Sequence, residues 1–302
     1  MPRLMKLLGF FAVAALVGGC GGGSGTSSGS GTLQVQVTDA KVDEALAVVV
    51  HYTAVQIHGD TSDITVDVSD PISGDPGRSI NLLDYTNGVS TILFDTALPA
   101  GHYNWMRLAI DLDKSYIELA DGQHPLWCNS CTKNGLKLNR EFTIDADQTT
   151  AFTLDFDLRS SITFDNTRYH LRPTVRVVAT HASGAIAGAV DSTLIANNDP
   201  DGNGCAVYVF NGFGATLDDI YMPATGDVPA GHNNPVTTAI VDDTTQTYMT
   251  AFLPPGDYSV ALTCDPELDV TDTDEVVGTD MTFVDSQDAT VTSGMTTTVD
   301  FN

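Results

Sequence analysis

Apolar residues recur at every second position through much of this chain. That period belongs to β-strands, whose successive side chains point to opposite faces. Leu33, Val35 and Val37 alternate with Gln34, Gln36 and Thr38, and Ile64, Val66 and Val68 repeat the pattern. Phe152, Leu154, Phe156 and Leu158 alternate with Thr153, Asp155, Asp157 and Arg159, which predicts an apolar face on a core and the two Asp in water. Turn-forming pairs punctuate the runs: Asp70-Pro71, Asn87-Gly88, Asp121-Gly122 and Asn134-Gly135. Asn-Gly and Asp-Gly suit the tight turns that join antiparallel strands. Residues 206–210, 248–253, 258–262, 281–284 and 297–301 continue in the same style. The expected fold is all-β, two antiparallel β-sandwich domains with at most one or two short helices. One element occurs twice, as Leu98-Pro99-Ala100-Gly101-His102-Tyr103 and as Leu253-Pro254-Pro255-Gly256-Asp257-Tyr258. It predicts a Pro-Gly turn feeding a strand, with the Leu and the Tyr anchored in the core.

Charge places the boundary between the two sandwiches. The chain carries a net charge of −26. Residues 32–182 hold twenty acidic and eleven basic residues, whereas residues 183–302 hold nineteen acidic residues and no Lys or Arg. So acidic a surface repels nucleic acid and anionic lipid headgroups, which makes both poor partners. It also repels itself, and divalent cations or salt relieve that.

The N-terminus supplies an address. Arg3 and Lys6 precede an apolar run from Leu7 to Val17, followed by Gly18, Gly19 and Cys20. The apolar run is too short for the ~20 residues a membrane-spanning helix needs. Positive residues before it and small ones after it fit a secretory signal. Val17-Gly18-Gly19-Cys20 looks like a lipobox, cut before a Cys that then carries acyl chains. The expected organisation is a signal peptide at 1–19, lipidated Cys20 with a tether to residue 31, a sandwich at 32–182 and an acidic sandwich at 183–302. Acyl chains on Cys20 would make membrane lipid a partner and hold the protein stably. Gly21 rather than Asp follows the Cys, which by resemblance to enterobacterial sorting signals implies the outer membrane, on either face. Residues 21–31 read GGGSGTSSGSG, a flexible tether with a typical reach of roughly 20 Å. The G-x-S-x-G match at 25–29 lies in this low-complexity stretch. It lacks the strand-to-helix turn a nucleophile elbow requires.

With Cys20 assigned to lipid, Cys128, Cys131, Cys205 and Cys264 remain. An even number in an exported chain points to disulfides, and three pairings exist. Cys128–Cys131 and Cys205–Cys264 keep each bridge within one sandwich and are favoured. Trp127-Cys128-Asn129-Ser130-Cys131 also matches the W-C-x-x-C of thiol-redox enzymes, and His124 adds a third zinc-type ligand nearby. Against redox chemistry, the flanks read as a loop between strands, not as a helix N-terminus that would lower a thiol pKa. Against zinc, three local ligands fall short of four and export favours oxidation.

Asp199-Pro200-Asp201-Gly202-Asn203-Gly204 matches the first half of a calcium loop, but the position for its bidentate Glu holds Phe210. Pairing of Cys205 with Cys264 would bring Asp265, Glu267 and Asp269 beside that loop. Asp199, Asp201, Asn203, Asp265, Glu267 and Asp269 are therefore the candidate Ca²⁺ ligands, weighed against a solvated acidic turn. No H-E-x-x-H and no His pair at helical ligand spacing occurs, so no catalytic residues are assigned. Trp105, Trp127, Tyr103 and Tyr116 are candidates for stacking on sugars, although core anchoring better suits Trp105 and Tyr103, which follow the turn.

The first sandwich resembles a domain of unknown function found in bacterial exported lipoproteins, which opens with a V-x-V-T-D-A-x-V-D-E-A pattern. Here this is Val35-Gln36-Val37-Thr38-Asp39-Ala40-Lys41-Val42-Asp43-Glu44-Ala45, with Lys41 where the family usually has Pro. The resemblance continues through Ile80-Asn81-Leu82-Leu83-Asp84, Leu98 to Tyr103, Phe156 to Ser161 and Leu171-Arg172-Pro173-Thr174. It implies no catalytic residues. Residues 183–302 resemble a carboxypeptidase-regulatory or transthyretin-like sandwich. Gly184 to Val190 would be its first strand and Leu253 to Val260 its signature turn and strand, which implies a non-catalytic adaptor. The expected function is an outer-membrane-anchored binding or structural module contacting an envelope protein or glycan. The alternatives are a calcium-dependent adhesion or glycan-binding module, and an envelope hydrolase or thiol-redox enzyme.

Overall fold

A computed structural model describes residues 29–40, 45–70, 73–165, 167–221, 230–269 and 281–302. The signal peptide, Cys20 and most of the tether lie outside the described residues. Among the described residues no helix is long and apolar enough to cross a membrane, which says nothing about β-barrel spans.

The chain is all-β. In the first half, a four-stranded sheet runs Val175–Ala179, Thr149–Asp157, Ser30–Ala40, Thr91–Pro99. A ten-stranded sheet is built around Ala47–Gly59 and Gly101–Ile110 and ends in Gly122–Trp127, Tyr169–Leu171 and Ile162–Phe164. Leu33, Val35 and Val37 are fully buried between the sheets, as their alternation predicts. Most pairings are antiparallel, but Ser30–Ala40 pairs with Thr149–Asp157 in parallel. A parallel pair needs a long crossover, and the intervening strands provide it.

The second half repeats the plan. Thr247–Leu253, Gly184–Ala189 and Thr296–Thr298 form one sheet; Thr237–Ile240, Ala206–Asn211, Gly256–Thr263 and Phe283–Val291 form the other. Ile186, Val207, Val209, Val260, Leu262 and Phe301 make a core separate from that of the first half. Ala206, Tyr208 and Phe210 point the opposite way and are also buried, against Ile220, Ala261 and Met281. Burial on both faces explains the unbroken apolar run there. The repeated element does the same work twice: Tyr103 Oη donates to Pro99 O and Tyr258 Oη to Pro254 O, each at 2.8 Å, and all four anchors are buried.

Two expectations need correction. Asp155 and Asp157 are not in water; each is 5% exposed. Their strand lies inside its sheet, whose neighbouring strand Ser30–Ala40 approaches Thr237–Ile240 of the second half. Arg176, directly opposite in register, pairs with Asp155, while Asp157 caps a helical turn by accepting from Ser160 N and Oγ. Among the described residues three short α-helices occur, Cys131–Asn134, Leu158–Ser161 and Ser192–Asn198, the last two started by Asp157 and Asp191 as N-caps that pattern counting overlooked.

Candidate functional site: an aromatic cleft

Both favoured disulfides are present. Cys128–Cys131 and Cys205–Cys264 have Cα–Cα distances of 5.2 and 4.0 Å. The first closes a tight turn immediately after Trp127, at the end of strand Gly122–Trp127. Gly135 ends that turn at φ +62°, and a Cβ there would stand 2.3 Å from Leu108 O, so only glycine fits.

This braced edge carries a cleft of about 370 Å³. Strand Tyr169–Leu171 pairs in parallel with Gly122–Trp127, setting His170 opposite Trp127, and antiparallel with Ile162–Phe164, setting Tyr169 opposite Phe164. The Phe164 and Tyr169 rings stack at 4.6 Å, and His124 tilts against Tyr169 at 5.3 Å. The Arg168 guanidinium lies 4.0 Å from the centre of the Trp127 ring. Trp127 and Phe164 remain 43% and 46% exposed, unusual for side chains this large and apolar.

A polar rim surrounds the rings. Asp121 meets His124 Nε2 at 2.8 Å, and that contact holds its carboxyl below the usual range. Asp165 accepts from the Thr167 hydroxyl and from the Thr167 and Arg168 backbone N–H groups, and meets His170 Nε2 at 2.7 Å. These bonds, Thr167 first, hold the Asp165 carboxyl far below its ordinary value. Both acids are thus fixed as anions. The Thr167 hydroxyl is bonded to Asp165 rather than to a histidine, so it is not set up as an activated nucleophile.

The sites expected from sequence fall elsewhere. Bridging of Cys205 to Cys264 does bring the acidic loop to its partner segment: Asn203 Nδ2 donates to Glu267 Oε1 at 3.1 Å. Asp199, however, turns inward to accept from Asn203 N and Gly204 N, and Asp265 accepts from the Thr282 hydroxyl. Asp269 accepts from Tyr208 Oη and Ile220 N. Burial pushes its carboxyl up to about 6, against the opposing charge of Arg159. Asp201 is exposed. Cys128 and Cys131 are joined to each other and offer no thiolate to a metal or a substrate. Of the aromatic candidates, Tyr103 is buried, Trp105 stacks on His58 at 5.0 Å, and Trp127 alone lines the cleft. Phe164, Arg168 and Tyr169 were not singled out from sequence; only their placement beside Trp127 in the sheet reveals them.

No curated protein matches the sequence. Among solved structures the chain is 10% identical to the Bacillus anthracis TIE protein, over 90% of this chain and 34% of that one, with a TM-score of 0.19. It therefore spans about a third of that protein's length. It is 10% identical to GBS52, the minor pilin of Streptococcus agalactiae, over 89% and 94% of the two chains, with a TM-score of 0.20. It is 9% identical to a DUF3823 family protein from Bacteroides ovatus, over 86% and 97%, with a TM-score of 0.19. Scores this low bear on neither fold nor function. Residues 30–173 match the family model described as a domain of unknown function (DUF4382), and that family is what the first half of the chain is similar to.

Proposed function

We propose that this chain is a non-catalytic binding module of the bacterial envelope, tethered to the outer membrane through acylated Cys20, and that its aromatic cleft takes a sugar ring of an envelope glycan. The observation that carries the reading is the pair of exposed rings, Trp127 and Phe164, in one disulfide-braced cleft rimmed by ionised Asp and by His and Arg donors. Sugar rings present apolar C–H faces and a hydroxyl edge, and such a site matches both: rings for the faces, carboxylates and cations for the hydroxyls. The test is titration of the protein with envelope polysaccharide fragments, followed by calorimetry. Trp127→Ala and Phe164→Ala should each weaken binding about tenfold, from ~1 kcal/mol or slightly more of lost stacking, with an unchanged melting curve. Saturable binding that ignores both substitutions would remove the cleft from the reading. Mass spectrometry of the N-terminal peptide from membranes checks the anchor.

A calcium-dependent variant rests on the Asn203–Glu267 contact. Melting curves in Ca²⁺ and in EDTA decide it: a rise in Tm with Ca²⁺ supports the variant, and superimposed curves end it.

A further inference from the structure

Asp218, Asp219 and His232 stand on the two arms of the segment that joins strands Ala206–Asn211 and Thr237–Ile240. Their ligand atoms lie within 4.8 Å of one another, and among the described residues no other group of three or more His, Cys, Asp or Glu converges in this way. His232 Nδ1 is 3.0 Å from Asp218 Oδ2 and 4.0 Å from Asp219 Oδ1. The His232, Asp218 and Asp219 side chains are 3%, 0% and 13% exposed.

Asn234 determines which ring nitrogen carries the proton. Its Oδ1 accepts from Tyr221 N at 2.7 Å and its Nδ2 donates to Tyr221 O at 3.0 Å, so the amide orientation is set. His232 Nε2 lies 3.1 Å from that Oδ1 and donates to it. In the neutral ring Nδ1 is then a bare acceptor, on an almost fully buried side chain, aimed at two carboxylates; no N–H or O–H of the described residues donates to it. Asp218 already accepts from the Asp219 and Asn233 backbone N–H groups, and a proton on His232 Nδ1 would be donated to Asp218 Oδ2; without that proton the three acceptors need another positive charge among them, which a metal ion supplies. Residues 183–302 contain no Lys or Arg to supply that charge.

We propose that Asp218, Asp219 and His232 bind one divalent transition-metal ion, Zn²⁺ being the best match, through His232 Nδ1 and one carboxylate oxygen of each Asp. Ligand atoms about 2.0–2.2 Å from a common ion lie roughly 3–4 Å apart, and the two N···O separations fall in that range. Asn234 plays the outer-partner role that metal-bound histidines require, fixing tautomer and ring orientation. The nitrogen donor selects against Ca²⁺ and Mg²⁺, which take oxygen ligands. The ion would clip together the two arms of the segment and keep a coordination position for water or an outside ligand.

The test uses the full chain stripped with EDTA and titrated with ZnCl₂ by calorimetry, then X-ray absorption at the zinc edge. One tight equivalent is expected, with a sulfur-free shell holding one imidazole and undisplaced by excess Ca²⁺. Asp219→Asn, at the rim of the cluster, should bind at least about tenfold more weakly while melting like the parent in EDTA, and His232→Gln should lose the imidazole signature. Absence of a tight equivalent in the parent overturns the proposal. So does a shell of oxygen alone or of two imidazoles, or zinc uptake undiminished in both variants. If a variant fails to fold, the parent's spectrum still decides.

Discussion

Burial rather than sequence context decides the charge of Asp269. Its carboxyl rises from 3.8 to about 6 because it lies out of water, while Arg159 and the Tyr208 hydroxyl pull the other way. A carboxyl whose folded pKa exceeds its unfolded value favours the folded state fully below about pH 4. As pH rises the unfolded state ionises first, and the contribution is lost by the time pH passes 6. Two units of difference correspond to roughly 3 kcal/mol. Asp269→Asn keeps an acceptor for Ile220 N but cannot ionise. Between pH 4.5 and 7.5 it should therefore gain on the order of 2 kcal/mol relative to the parent, measured by urea unfolding at both pH values. Equal pH slopes for the two proteins would refute this. Alternation on Thr149–Asp157 shows where reading single residues stops working. It placed Phe152, Leu154 and Phe156 in the core correctly, yet it assigned Asp155 and Asp157 to water, because only the tertiary fold lays Thr237–Ile240 near that sheet.

Elements were more legible than sites. Turn pairs and alternation located most strands, and the repeated Leu-Pro-x-Gly-x-Tyr element turned out to hold the same hydrogen bond in both halves. The cleft was only partly legible. Trp127 was visible as a candidate, but Phe164, Arg168 and Tyr169 reach it through a parallel pairing between Gly122–Trp127 and Tyr169–Leu171 that no local pattern encodes. The same is true of Asp218 and His232, which a segment of the second half folds together. Two predictions belong at this scale. A Cβ on Gly188 would stand 1.7 Å from Val299 O, across the sheet containing Gly184–Ala189, whereas one on Gly101 would meet nothing within 4 Å. Gly188→Ala should cost roughly 3 kcal/mol or more in thermal or urea unfolding, and Gly101→Ala should stay within about 0.5 kcal/mol of the parent. Comparable losses from both would show that the strand moves aside. The Cys205–Cys264 bridge spans 59 residues, and replacing both cysteines with Ser should cost about 2–4 kcal/mol, read by urea unfolding under non-reducing conditions.

At the scale of the whole molecule, charge is unevenly distributed and one side chain crosses the divide. The second half holds nineteen acidic residues and no Lys or Arg, so any guanidinium or ammonium beside its buried carboxylates must come from the first half. Arg159 is 5% exposed and does this. Its Nη2 donates to Pro266 O at 2.6 Å, its guanidinium lies 5.5 Å from the centre of the Tyr208 ring, and its charge lowers the pKa of Asp269. Loss of that charge leaves the buried carboxylate without the largest opposing charge acting on it, and an uncompensated buried charge costs about 3 kcal/mol or more. Arg159→Met should therefore destabilise the chain by about 3 kcal/mol at pH 7.5, where Asp269 is ionised. In an Asp269→Asn background no charge is stranded, and the same substitution should cost at least about 1 kcal/mol less. Urea unfolding of the parent, both single variants and the double variant gives that coupling directly. Additivity within about 0.5 kcal/mol would mean that Arg159 joins the halves by packing and its carbonyl bond alone, and that the acidic half balances its buried charge without help from the other.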